Sequence, residues 1–292
     1  MNIMTKMPTI RIGGVPEHFN LPIHLANEQG SFNDRNVQIE WTTYKGGTGQ
    51  MTQALRNNEI DLCVLLTEGI ITDIIHANPS KIISGYVTTP LTWGIHTGAD
   101  NTLKQYGDIF DKKYGISRFG SGSHLMAIVD ANSKGHDLQN DQFHIIKNLD
   151  GALQSLGCLE TDVFYWEKFT TMPFVDNGQL RRIGEFRTPW PCFVIAATNK
   201  ILEKDPDSVT RVLRTIHDQC DHFMSHPETA IQLVSERYGL RQKDTERWYH
   251  STEWAIHGWV SDKMIRSVVY HLGIAKIIDG DQEVPELIWK RS

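Results

Sequence analysis

Hydrophobic residues in the first third of the chain are spaced as in a parallel β-sheet with helices between its strands. Residues 9–13 and 37–41 alternate between apolar and polar positions, and residues 62–66 form a continuous apolar run typical of a central parallel strand. The stretches between them, residues 21–29 and 48–55, carry apolar residues three and four positions apart and predict helices. The predicted order is therefore βαβαβ.

Three short stretches follow these predicted strands and open the next helix. They read PEHF at residues 16–19, GGTG at residues 46–49 and TEG at residues 67–69. Because the carboxyl ends of parallel strands meet at one edge of a sheet, we expect all three stretches to face one crevice. Helix N-termini offer free N–H groups there, and glycine lets the backbone approach a bound molecule closely. The pattern predicts a small-molecule binding cleft.

A second alternation of strands and helices follows the first. Strands are predicted at residues 81–87, 92–98, 114–118, 143–146, 163–165, 180–184 and 191–197, with helices at residues 70–78, 125–133 and 149–156. Beyond Lys200 the chain is almost wholly helical, at residues 208–224, 227–238, 242–255 and 262–272. Since these helices need a lobe to pack on, we expect the chain to return to the first lobe through residues 191–197.

The prediction is an α/β fold of two lobes with a cleft between them and two crossover segments. Lobe I comprises residues 1–92 and 197–292, and lobe II, residues 93–196, is inserted within it. Ligand is expected to bind between the lobes. We expect a monomer.

Charge and cysteine content narrow the range of partners. Lys and Arg number 29 against 35 Asp and Glu, a net charge of −6, and no basic block marks a nucleic-acid or membrane surface. No apolar run approaches the roughly 20 residues that span a bilayer. Cys63, Cys158, Cys192 and Cys220 are scattered, which predicts buried free thiols and neither a metal site nor a disulfide. We also expect no cofactor.

The N-terminal residues bear on location. The first predicted strand begins within about ten residues of the start, which leaves no room for a secretory signal. We expect a cytoplasmic protein, although a trimmed chain would look the same and would be periplasmic. A transporter partner is possible only if the protein is secreted.

Carboxylates follow three of the predicted strands. Glu17 with His18, Glu68 and Glu167 are candidates to look into the cleft, the alternative being charges that only complement helix dipoles. If two or more of these carboxylates face inward, they favour a cationic or amino-bearing ligand and repel a sulfate-like anion.

Turns and aromatic rings supply the other candidate ligand contacts. An ordinary tight turn, a capping histidine and aromatic core packing are the alternatives for them. The candidates are Phe19, Gly47, Thr48, Gly49, Thr67, Gly69, Trp93, Ser121, Gly122, Ser123, His124, Trp166 and Trp190. We assign Trp248, Trp254 and Trp259 in the helical tail to packing.

Several motifs resemble those of a known superfamily. The "A..QG.F" helix end at residues 26–32, the "AL..NEIDL" phrase at residues 54–62 and the GSGS turn at residues 120–123 resemble type II periplasmic binding proteins. Within that superfamily they resemble the branch of ABC-transporter receptors for sulfonates, taurine and nitrate and of NMT1/THI5-like proteins. PEHF, GTG, TEG, RFGSGSH and PWPCFVI are most similar to the intracellular CA3427-like proteins of fungi and bacteria.

The resemblance implies non-catalytic capture of a small molecule, which the inward carboxylates suggest contains nitrogen. The alternative is an enzyme related to the THI5-like pyrimidine synthases, which consume pyridoxal phosphate and use a histidine. The CCCFC segment of those proteins has no counterpart here, whereas His18, His76, His96 and His124 keep the alternative open. A menaquinone-pathway enzyme of the same fold is a further alternative without specific support.

Overall fold

Eight strands form one mixed sheet in the order β2-β1-β3-β8-β4-β7-β5-β6. The structure is a computed structural model and describes residues 7–281 and 283–290. The strands are β1 Thr9–Gly14, β2 Gln38–Thr43, β3 Leu62–Leu66, β4 Ser80–Gly98, β5 Tyr114–Ile116, β6 Phe143–Ile145, β7 Val163–Glu167 and β8 Leu180–Thr198. Strands β1, β2 and β3 are parallel, as the sequence predicts.

Helices alternate with the strands and then dominate the C-terminal part. They are α1 Leu21–Glu28, α2 Thr48–Arg56, α3 Thr67–Ile75, α4 Gly122–Ser133, α5 Leu149–Gly157, α6 Met172–Asp176, α7 Asn199–Lys204, α8 Pro206–Ser225, α9 Pro227–Tyr238, α10 Gln242–His250 and α11 Asp262–Ile274. Helix α8 packs on α1, and α11 packs on α3. No helix within the described ranges has the length and apolar character needed to cross a bilayer.

Two strands of 19 residues each, β4 and β8, form the centre of the sheet. They pair antiparallel from Ser80 with Thr198 to Gly98 with Leu180. The sequence predicts each as two shorter strands, and this prediction is wrong. Pro90 and Pro191 pair opposite each other, and register shifts on both sides of Pro90 let the strands continue past prolines that lack a backbone donor.

The central pair joins two lobes. Lobe one contains β1–β3, and β3 pairs with β8 through Leu62–Leu66 opposite residues 193–197. Lobe two contains β5–β7, and β7 pairs with β4 through Trp93 to His96. The connections β4 and β8 therefore run through both lobes, and the residue boundaries of the lobes stay a prediction.

Two residues expected in the interior lie at the surface. Cys158 is exposed because it follows the last residue of α5, whereas the other three cysteines are buried. Trp259 is 72% exposed in the irregular segment before α11, while Trp248 and Trp254 are buried as expected. An apolar side chain in a loop has no helical or strand face that directs it inward.

Candidate functional site

A cavity of about 50 Å³ lies between the lobes, where the ends of β1, β3 and β7 meet the start of α4. It is lined by Val15, Glu17, Gly46, Gly47, Thr48, Leu66, Leu91, Trp93, Ser117, Ser121, Gly122, Ser123, Trp166, Glu167 and Phe193. Because one water needs about 10–15 Å³, this inner cavity has space for only a few non-hydrogen atoms.

A wider mouth adjoins the inner cavity. It has a volume of about 170 Å³ and shares Val15, Glu17 and Trp166 with the inner cavity. Its other lining residues are Pro16, Lys45, Asn148, Leu149, Asp150 and Thr170. A ligand with its head group in the inner cavity could extend into this mouth.

Glu17 reaches the cavity from lobe one, in the turn that leads from β1 to α1. Asn20 shapes this turn, since its side-chain amide donates to the Val15 carbonyl at 2.8 Å and makes no capping hydrogen bond to α1. Part of the Glu17 surface faces the cavity, yet no hydrogen bond to its carboxyl occurs in the described part of the chain. Desolvation, followed by repulsion from Glu167, raises the pKa of Glu17 to about 8. Glu17 is therefore largely an uncharged acid at neutral pH.

Glu167 reaches the same cavity from lobe two, as the last residue of β7. One carboxyl oxygen accepts hydrogen bonds from the Thr170 amide at 2.6 Å and the Thr170 hydroxyl at 2.8 Å. Burial raises the pKa of Glu167, and these hydrogen bonds oppose the rise. The Phe169 backbone N–H also acts on this carboxyl group, in the direction that lowers its pKa.

Serines at the start of α4 line the lobe-two wall. The Ser121 hydroxyl accepts a hydrogen bond from the His124 amide at 3.4 Å and lies 3.0 Å from the Ser123 hydroxyl. Ser123 in turn accepts from the Ser117 amide at 3.1 Å. The hydroxyls are thus held in a fixed network, and Ser121 caps the helix as its sequence position allows.

Aromatic rings form the apolar part of the cavity. Trp93 donates from its indole N–H to the Thr188 hydroxyl at 2.9 Å, which fixes the ring. Trp166 stacks on Phe164 with ring centroids 5.2 Å apart. Phe193 also lines the cavity, although no local pattern separates it from the other apolar residues of β8.

The glycine turn after β2 supplies the remaining lobe-one wall. Gly47 has φ +70°, a backbone conformation that favours glycine. The Thr48 hydroxyl accepts a hydrogen bond from the Leu66 amide at 3.2 Å, which fastens the start of α2 to the end of β3. Both residues line the cavity, and their contact with a ligand stays a prediction.

Glu68 and Trp190 lie together but outside the cavity lining. The Trp190 indole N–H donates to one Glu68 carboxyl oxygen at 2.8 Å, and the other oxygen is buried without a partner among the described residues. Burial raises the pKa of Glu68 to about 7. Helix α3 packs on β8, the strand that carries Trp190. The two side chains are in direct contact, and neither lines the inner cavity, where the sequence had placed them as candidates.

Three other candidates are buried beside the cavity. His18 stacks on Phe19 and meets the edge of Trp248, and burial lowers the pKa of His18 to about 3. The Thr67 hydroxyl donates to the Pro191 carbonyl at 2.7 Å. These three candidate side chains are buried, and the His18 Nε2 atom has no hydrogen-bond partner among the described residues.

An open groove of about 970 Å³ runs along the other side of the GGTG turn. Gly49, Gly69 and His124 line it, together with Arg118, which the sequence did not single out. His124 accepts a hydrogen bond at Nδ1 from the Gly120 amide at 3.0 Å, and burial lowers its pKa to about 4. His124 is thus a neutral ring, and the rings of Phe119 and Phe143 contact it edge-on.

Metal binding has no support in the described ranges. No group of three or more His, Cys, Asp or Glu side chains in them is arranged to hold an ion. Hydrogen-bonding and aromatic groups are what the inner cavity offers a ligand.

Comparison with known proteins agrees with this geometry. A sequence profile described as "Ca3427-like PBP" matches residues 93–186. The structure of the Candida albicans CA3427 gene product, described as defining a new family with the generic periplasmic binding protein fold, superposes with a TM-score of 0.89. That pair shares 26% identity over 95% of this chain and 93% of that chain. A search of curated proteins found no match.

More distant structures share the fold. The alkanesulfonate-binding protein SsuA of Xanthomonas axonopodis pv. citri has a TM-score of 0.78 and 13% identity, over 98% of this chain and 99% of that one. The aliphatic sulphonate-binding SsuA of Escherichia coli has a TM-score of 0.72 and 15% identity, over 97% and 92%. At these identities the likeness shows the fold alone.

The chain has the fold of the periplasmic binding proteins, with a cavity between its two lobes. Within that superfamily, the profile match and the Candida structure support assignment of the chain to the Ca3427-like group. The predicted periplasmic-binding-protein fold and the resemblance to the CA3427-like proteins are confirmed. The narrower resemblance to the branch of sulfonate, taurine and nitrate receptors and NMT1/THI5-like proteins stays a prediction. The fold also supports a solute-binding role.

Proposed function

We propose that the protein binds a small amino-bearing or cationic solute in the inner cavity, without catalysis. The observation that carries this proposal is the pair Glu17 and Glu167, which line one cavity from opposite lobes. No Lys, Arg or His is among the described residues that line that cavity. A donor-bearing ligand is the natural partner of two such acids.

Electrostatics favour a cation over an anion at this position. A carboxyl group with a raised pKa ionises when a positive charge arrives, because the new charge-assisted hydrogen bond offsets the desolvation cost. Trp93, Trp166 and Phe193 add ring faces that attract a desolvated cation. A sulfonate would meet only neutral donors, and its negative charge would disfavour ionisation of both acids. The sulfonates bound by the SsuA proteins are therefore not the solute we propose.

Size limits the ligand further. The inner cavity fits an ammonium or guanidinium head group, and the mouth beyond Glu17 and Trp166 fits a short polar tail. Larger ligands would require the lobes to separate by bending at β4 and β8 near Pro90 and Pro191, where the strand register is irregular. In this proposal residues 1–92 and 197–292 move against residues 93–196.

A thermal-shift panel tests the proposal. Ethylamine and guanidine are compared with ethanesulfonate and acetate at pH 8.5, using the wild-type protein, Glu17→Gln and the exposed control Glu160→Gln. We expect the amines to raise the Tm of the wild type and the control and to have little effect on Glu17→Gln. Stabilisation by ethanesulfonate, with none by the amines, would overturn the proposal.

A further inference from the structure

Arg118 of lobe two reaches across to the glycine turn of lobe one. Its guanidinium Nη1 donates to the Gly46 carbonyl at 3.2 Å. The two residues are 72 positions apart and belong to different lobes, which makes this a direct hydrogen bond across the cleft. Gly46 lines the inner cavity on the opposite face of the same turn.

Gly49 leaves the space that the Arg118 guanidinium group occupies. A Cβ atom built at position 49 would overlap three atoms of the Arg118 guanidinium group, so the guanidinium lies directly against the glycine backbone. Gly49 is helical and has no positive φ, and glycine in a helix costs about 0.5–1 kcal/mol relative to alanine. Close approach of Arg118, rather than backbone conformation, therefore explains a glycine at this position.

The charge of Arg118 is not neutralised by a neighbouring carboxylate. No Asp or Glu of the described residues lies within ion-pair distance of its guanidinium. Desolvation lowers the pKa of Arg118, and attraction from Asp73 acts in the opposite direction. Arg118 is held mainly by the Gly46 carbonyl and by contact with Gly49. Its position therefore depends on contact between the two lobes rather than on a salt bridge.

We propose that Arg118 is a positioning residue that holds the Gly46–Gly49 turn as a wall of the inner cavity and keeps the two lobes closed around it. Its importance for binding rests on the proposed function, but its effect on lobe closure does not. The Thr48 hydroxyl ties the same turn to the end of β3, so the turn is held from lobe one and lobe two at once. When lobe two moves away, the Arg118 contact is lost and the cavity wall is released on that side.

Distance measurement between the lobes tests this inference in buffer, without any ligand. Cys158 is an exposed natural labelling site in lobe two, and Glu40→Cys adds an exposed site on β2 in lobe one. Spin labels at these positions report the distance distribution by double electron–electron resonance. The variants to compare are Arg118→Ala, Gly49→Ala, their double variant and the control Gly157→Ala, a helical glycine with open space around it.

We expect a longer or broader distance distribution in Arg118→Ala and Gly49→Ala, and a wild-type distribution in Gly157→Ala. The double variant should show no larger change than either single variant, because both remove the same contact. Arg118→Lys should recover part of the closure, since lysine can still donate to the Gly46 carbonyl.

Gly49→Ala removes no side chain and improves helix propensity, so loss of folding is not expected to confuse the result. A wild-type distance distribution in both Arg118→Ala and Gly49→Ala would overturn the inference, whether or not an amine binds in the cavity. Failure of the amine panel, with open lobes in both variants, would overturn the proposed function alone.

Discussion

Glu17 of lobe one and Glu167 of lobe two line one cavity, and neither forms an ion pair with a basic residue in the described chain. Their mutual repulsion adds to desolvation in raising the pKa of Glu17 to about 8. Two apposed acids without a cation oppose folding at neutral and higher pH. Such an arrangement is typical of a binding site rather than of a stabilising core.

The stability of the protein should depend on ionisation of Glu17. Its pKa is raised in the folded state above the ordinary value of 4.5, so its favourable contribution is complete below that value and is lost as pH rises toward about 8. We expect the unfolding free energy of Glu17→Gln, relative to wild type, to increase over this range by up to about 1.4 kcal/mol per pH unit. Urea denaturation at pH 5, 6.5 and 8 measures it. A constant difference between the two proteins, as we expect for Glu160→Gln, would contradict the raised pKa.

The Trp190 indole N–H supplies the side-chain hydrogen bond that the Glu68 carboxyl group accepts within the described residues. Trp190→Phe removes the donor, so we expect the pKa of Glu68 to rise above about 7 and stability to fall by roughly 1–3 kcal/mol, more at pH 8.5 than at pH 5.5. Chemical denaturation at both pH values measures the loss. When Trp190→Phe is made in the Glu68→Gln variant, the stability loss should no longer depend on pH, because only the packing loss remains. A pH-dependent loss in that variant would mean that a group other than Glu68 causes it.

Gly122 allows lobe two to approach the end of β3. A Cβ atom at this position would lie 2.8 Å from Cη2 of Trp93 and would overlap the Leu66 side chain. We expect Gly122→Ala to lower stability by about 1–3 kcal/mol through overpacking. Gly157→Ala, which meets no atom within 4 Å, should leave the unfolding midpoint unchanged. Equal midpoints for all three proteins would mean that the lobes are not held this close.

Cys158 should be the one readily accessible thiol of the native protein. The other three cysteines are buried, and burial raises the pKa of their thiols well above the ordinary value, which slows their reaction. A chromogenic disulfide reagent should titrate one thiol rapidly in the native state and four after denaturation. Cys158→Ser should abolish the rapid phase, and a rapid phase that survives would place an exposed thiol elsewhere.

The sequence predicted the fold well where local pattern and tertiary role coincide. β3 is a continuous apolar run because both of its faces are buried, and α9 has the predicted bounds because a proline begins it and Gly239 follows it in a left-handed conformation. The long strands β4 and β8 were missed because Pro90 and Pro191 look like breaks. Only the pairing of the two strands shows that register shifts absorb these prolines.

The sequence predicted only part of the candidate site, because the position of a residue along the chain does not determine the direction of its side chain. Sequence position places Glu17 and Glu167 at strand ends, and both side chains line the inner cavity. The same reasoning placed Glu68 in the cleft, but the direction of a side chain in the first helical turn depends on the rotation of α3 against β8. Arg118 was missed because nothing local marks a residue whose contact lies 72 positions away. Ligand contacts for all of these residues stay a prediction.

Calorimetric titration of the best-binding amine of the panel, in two buffers of different ionisation enthalpy, tests the central claim most directly. At pH 7 we expect binding to release close to one proton, because Glu17 ionises on contact with the cation. Glu17→Gln and Glu167→Gln should each lose roughly 1.5–3 kcal/mol, about one to two orders of magnitude in affinity, while Glu160→Gln binds as wild type. Wild-type affinity in both cavity variants, or binding without proton release, would contradict a carboxyl-lined site for an amino-bearing solute.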